Sequence, residues 1–114
     1  MDLNETARTA LKISLQRRDN GAFGKNRDVL KHAAGELAEA IVAREKLYYS
    51  IGKSTLFDEV SETDKQHEAL GEELADVIIC ILVQAAINQI NIEKAVIDKM
   101  EKNRLRAEKQ GDKL

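Results

Sequence analysis

Four acidic residues stand out by type and spacing: Glu36 and Glu39 in the tetrad Glu36-Leu37-Ala38-Glu39, and Glu73 and Asp76 in Glu73-Leu74-Ala75-Asp76. On a helix, positions i and i+3 share one face and lie about 4.5 Å apart along the axis. Leu37 and Leu74 are expected to pack in the core, which would hold the acids at the core's edge. That placement is costly. Two carboxylates about 4 Å apart repel by roughly 4 kcal/mol at an effective dielectric of 20. Four of them facing one another would destabilise the fold or take up protons. A divalent cation between the two helices removes the conflict. An all-oxygen donor set suits magnesium, with manganese also accommodated. No softer-metal pattern competes, because His32 and His67 are far apart in sequence and Cys80 is the single cysteine. The Glu-x-x-His pairs of di-iron bundles are absent as well. One such tetrad would be ordinary amphipathic helix, since glutamate, leucine and alanine are strong helix formers. Its repetition in two consecutive long helices argues for a site.

A basic stripe lies further along the chain. Lys99, Asn103 and Arg106 fall at i, i+4 and i+7 of a predicted helix, with Val96 and Met100 turned in a neighbouring direction toward the core. Lys102 and Arg104 lie off the stripe and are expected to be solvated. Two cations and an amide on one face suit phosphate oxygens. Alone, the stripe would only complement the helix dipole. Beside an acidic metal site it becomes the other half of a phosphate clamp.

The elements that must position these residues are helical. The chain of 114 residues has 43% hydrophobic and 33% charged residues, a balance suited to one folded domain with a modest core. It contains no proline, aromatics are only 4%, and clear alternation is missing, so an all-α chain is expected. The spacing predicts helix 1 over Asn4 to Arg18, capped by Asn4 and stopped at Asn20-Gly21. A loop over Ala22 to Arg27 follows, then helix 2 from Asp28 to Ser50, with Leu30, Ala33, Leu37, Ala40, Ile41 and Leu47 at helical spacing and Gly52 as a stop. Gly52 to Glu62 is the least regular stretch. Thr63 and Gln66 fit a capping box for helix 3, which runs to Ile87. Asn91 caps helix 4, from Ile92 to Glu108, and the polar residues 109–114 form a tail. The result is one antiparallel four-helix, bundle-like domain with its core over residues 4–108.

Helix 3 is apolar on more than one side after Asp76, from Val77 to Val83, with only Cys80 less apolar. Three other helices can hardly cover such a helix on every side, so helix 3 is expected to pack against another subunit. A net charge of −2 gives no basic field for DNA or RNA. The apolar run 74–87 is too short for a bilayer, which needs about 20 residues. The first residues show no signal-peptide pattern, and a cytoplasmic protein without membrane contact is expected.

The ordered set formed by the Glu36/Glu39 tetrad, the Glu73/Asp76 tetrad and the segment Lys99-Met100-x-x-Asn103-Arg104-x-Arg106 resembles the MazG-like all-α nucleoside triphosphate pyrophosphohydrolases, the last segment being similar to the dCTP-pyrophosphatase branch. The resemblance spans about residues 28 to 106. It implies cleavage of a nucleoside triphosphate between its α and β phosphates, to monophosphate and pyrophosphate, by magnesium-dependent dimers or tetramers. Carried over, Glu36, Glu39, Glu73 and Asp76 would ligate the metal, Glu39 would also accept the water's proton, and Lys99, Asn103 and Arg106 would contact phosphates. The pattern differs in three places. Gly35 stands where a glutamate is usual, which leaves a second metal site one ligand short and calls for a close helix or ligand approach to explain a mid-helix glycine. The spacer from Ala40 to Glu72 is long. Ala107-Glu108 replaces an aromatic-proline pair. Gly35 favours an alternative reading, a non-catalytic nucleotide-binding or oligomerising module that keeps the fold. Base recognition is left open: Phe23, Tyr48, Tyr49 and Phe57 are the only aromatics, each able to stack on a base but more often a core or interface residue. His32, one turn before Glu36, could reach the pocket, although a packed or solvated histidine is the commoner case.

Overall fold

A carboxylate starts each of the first two helices. In the computed structural model, which describes residues 2–19, 28–53 and 60–110, Asp2 Oδ1 accepts from the Asn4 amide at 2.8 Å. Asp28 Oδ1 accepts from the amides of Leu30 and Lys31 at 3.1 and 3.2 Å. These bonds satisfy amides that have no partner within the helix. The helices are α1 (Leu3–Asp19), α2 (Val29–Lys53), α3 (Val60–Ile87) and α4 (Ile92–Lys109), and the described residues contain no strand. The expected all-α, four-helix architecture is therefore present.

The boundaries correct several expectations. Asp2 rather than Asn4 caps α1. Asn4 instead joins two helices: its Nδ2 donates to Asn91 Oδ1 at 2.7 Å, and its Oδ1 accepts from the Glu93 amide at 3.3 Å. Gly52 does not stop α2, which runs on to Lys53. Thr63 and Gln66 form no capping box, because α3 begins before them at Val60. Thr63 Oγ1 lies 2.9 Å from Ser50 Oγ, and Gln66 donates to Glu62 Oε1 at 2.7 Å. Asn91 caps α4 as expected, accepting from the Lys94 amide at 3.1 Å. The expected stop at Asn20-Gly21, the loop over 22–27 and most of the irregular stretch 52–62 lie outside the described residues.

Packing centres on α3, which lies against α2 along one flank and against α1 along another. The α2–α3 pair is antiparallel, with Ser50 beside Thr63. The inward stripe of α2 is Ala33, Glu36, Ala40, Ala43, Leu47 and Ser50, an alternating three- and four-residue spacing in which every member but the half-buried Glu36 is buried. On α3, the less exposed positions Gln66, Leu70, Glu73, Val77 and Cys80 follow the same spacing. This is the geometry of a coiled-coil-like seam. The alanines allow close approach, and Leu37 and Leu74 flank the seam. Leu37 and Leu74, expected in the core, are accordingly 49% and 46% exposed. Both sides of α3 become buried only near its end, where Leu82, Val83 and Ala85 are enclosed and Ala7 of α1 is buried too.

The α4 helix behaves differently. Its packing is mainly against α1, and it has no buried residue. Val96 and Met100, expected to face the core, are 38% and 65% exposed. The radius of gyration, 18.1 Å, exceeds the about 13 Å of a compact domain of this length. Among the described residues, large apolar side chains such as Ile78, Ile79, Ile97 and Met100 stay exposed. No helix among the described residues is long and apolar enough to cross a membrane.

Candidate metal site

The seam decides which acid of each tetrad turns inward. Glu36 and Glu73 occupy seam positions on facing helices and are partly buried, whereas Glu39 and Asp76 sit on the flank and are exposed. Because the helices run antiparallel, the flank acid of one tetrad comes beside the seam acid of the other. Glu36, Glu73 and Asp76 each present a carboxylate oxygen within 4.8 Å of the other two. Glu39 stands outside this triad but adjoins Glu73.

Burial pushes the Glu73 carboxyl above the ordinary carboxylate range, and the neighbouring charge and proton-sharing contact of Glu39 push it further in the same direction. The charges of Glu36 and Asp76 add to the effect. Glu73 also has one enclosed oxygen, Oε2, with no hydrogen-bond partner. A buried anionic acceptor with no donor is costly to leave so. An orphaned oxygen among three converging carboxylates fits a hard divalent cation. The donor set is oxygen throughout, as magnesium and manganese prefer.

Next to the acids lies a cavity of about 400 Å³, walled by Ala38, Val42, Ala43 and Ala69 and edged by Glu39, Glu73, Lys46 and Gln66. Its walls are apolar because three alanines and a valine line them. Lys46, which the sequence pattern did not single out, and Gln66, which it placed in a helix cap, are polar groups on its rim. Their signal was available: in an antiparallel pair, the residues one and two turns beyond the acids must line the same groove.

His32, one turn before Glu36 and able by position to reach the pocket, has its Nε2 2.9 Å from Glu36 Oε1, an i, i+4 pair on one helix face. No close approach of a neighbouring helix within the described residues of the chain accounts for Gly35. It is exposed, and a Cβ built on it would meet nothing within 4 Å.

The phosphate stripe is not brought to the acids by the packing of one chain. Lys99, Asn103 and Arg106 are exposed on α4, whose main neighbour is α1. Arg104, expected to be simply solvated, pairs with both Glu101 and Glu108, and the first of these bonds lowers the Glu101 pKa. Tyr48 and Tyr49 are exposed, with the Arg44 guanidinium 6.0 Å from the Tyr48 ring centre. Phe23 and Phe57 lie outside the described residues.

The family profile of the MazG nucleotide pyrophosphohydrolase domain matches residues 24–110, and the chain belongs to that family. No curated protein and no solved structure matches it significantly.

Proposed function

We propose that this member of the MazG family is a magnesium-dependent pyrophosphohydrolase that cleaves a nucleoside or deoxynucleoside triphosphate to monophosphate and pyrophosphate. The observation that carries the reading is the convergence of Glu36, Glu73 and Asp76 around the unpartnered Glu73 Oε2. In this reading those three residues hold the cation, with manganese able to substitute for magnesium and Glu39 flanking the site. When bound, the metal supplies neutralisation of triphosphate charge and an acidified water. Glu39, exposed and adjoining Glu73, takes up the proton of the attacking water. Attack at the α phosphorus forms a bond to the water oxygen and breaks the bond to the bridging oxygen, which leaves with the pyrophosphate. The neighbouring cavity receives part of the substrate, its apolar walls suiting a flat ring and Lys46 an anionic group.

The phosphate stripe enters this scheme through assembly. Exposed Leu74, Ile78, Ile79 and Ile81 on α3, together with Ile97 and Met100 on α4, leave apolar surface that a second copy would cover. In a homodimer or homotetramer, Lys99, Asn103 and Arg106 of one chain serve phosphates at the acids of another. The resemblance of the Lys99 to Arg106 segment makes cytidine deoxynucleotides the first substrates to try. A cytoplasmic location accords with such a substrate.

The test is a panel of canonical and modified triphosphates with magnesium or manganese, read by pyrophosphate release. Turnover of at least one, lost in Asp76→Asn, is expected. No turnover across the panel would sink the reading. The separation of the α4 stripe from the acids within one chain favours a second reading, a non-catalytic nucleotide-binding or oligomerising module. Saturable nucleotide binding with no hydrolysis would establish it.

A further inference from the structure

Metal sites are tuned by the groups that hold their ligands, and a ligating carboxylate usually accepts a hydrogen bond that fixes its orientation. Glu36 has such a bond. His32 Nε2 lies 2.9 Å from Glu36 Oε1, and the two side chains are only 27% and 14% exposed. An exposed i, i+4 pair would be a minor helix-surface contact. This pair is different, because Glu36 lies in the packed seam and belongs to the converging triad. His32 lies outside the triad, so its nitrogen acts on the carboxylate.

We propose that His32 is a positioning residue for the metal site: by donating to Glu36 Oε1 it fixes the orientation of that carboxylate in the triad, and it thereby sets metal affinity. The inference rests on the reading of the triad as a metal site. The sequence hinted at it only through spacing, since a residue at i−4 shares the face of Glu36. Glutamine at position 32 also carries a side-chain N–H donor on a flexible stem, so His32→Gln can keep the bond. His32→Ala cannot, and it releases Glu36 to other rotamers.

The experiment measures Mn2+ binding to the full chain by the electron paramagnetic resonance signal of free Mn2+. Apo-protein melting is followed in parallel. His32→Ala is expected to weaken Mn2+ binding about tenfold or more, with most of the loss restored in His32→Gln. Melting of the metal-free protein should not follow the same order. Pulsed resonance of the bound Mn2+ should show no directly coordinated nitrogen. Equal affinity in wild type and His32→Ala would overturn the inference and leave the metal site standing. A directly bonded nitrogen that disappears in His32→Ala would also overturn it, since His32 would then be a ligand. If the wild type bound no Mn2+, the inference and the proposed function would fall together.

Discussion

The α2–α3 pair and α4 differ in composition and in what their charges do: α2 and α3 are each just over half apolar, whereas more than half of α4 is charged. In α2–α3 a seam of alanines, Leu47 and Ser50 draws two helices together and carries two glutamates into partial burial. In α4 nothing is buried, and charge is balanced along the helix's own surface by Lys94 with Asp98 and by Arg104 with Glu101 and Glu108. Such exposed pairs add little stability. Local pairing is enough to keep α4 helical, but it does not determine where α4 rests. The acids of the seam are the reverse case: their positions are held by packing, and local electrostatics opposes them. The comparison places the proposed cation chemistry where electrostatic strain has accumulated and the phosphate contacts where a partner is still to be met.

The largest expected effect breaks the comparison at the seam. Asp76→Asn removes one of the three converging carboxylates, and pyrophosphate release should fall by more than about a hundredfold, since even outer partners of metal ligands are worth 10- to 100-fold. If activity persisted, the strain in the seam would have no catalytic meaning. Next is the uncovered face. Ile78 on α3 is 55% exposed in one chain, and Ile78→Asp should weaken self-association about a hundredfold, because a buried unpaired charge costs several kcal/mol. Light scattering after size exclusion would show this, and an unchanged oligomer would mean that another face is covered.

A third, smaller effect tests the seam's closure. Ser50 is buried and lies 2.9 Å from Thr63 across the two helices. Ser50→Ala should cost about 1 kcal/mol, seen as a melting temperature lower by roughly 4–8 °C. The smallest effect concerns pH. The Glu73 pKa is raised in the fold, so between the ordinary carboxylate value and this raised one the folded state binds more protons than the unfolded. Without divalent metal, stability should therefore rise as pH falls through that window, and the part due to Glu73 should be absent in Glu73→Gln. Glu73→Gln should itself melt higher than wild type without metal at neutral pH and gain nothing from added Mg2+. A wild type whose melting temperature ignored both pH and Mg2+ would show that the carboxylates do not strain the fold.

Much of this organisation is legible in the sequence. Helix periodicity located all four helices, and the cap at Asn91 followed from its side chain. The paired acids were visible because i, i+3 spacing is a local property of a helix. Asp2 was missed as a cap because Asn4 offers an equivalent acceptor two residues later, and a long-range bond to Asn91 and Glu93 claims it instead. The mismatch at Leu37 and Leu74 has a similar cause: hydrophobicity alone favours leucine inside, whereas the close approach of α2 and α3 favours alanine.

By itself the sequence determined which segments are helical and which acids share a face, since both depend on residues within a turn or two of one another. Only the tertiary structure decided that Glu36 and Glu73 enter the seam, that Asp76 rather than Glu39 completes the closest triad, and that α4 stands apart with its cations. The physical reason is that a helix offers several faces at similar local cost. The choice among them is made by the axial distance and antiparallel register of a partner helix many residues away.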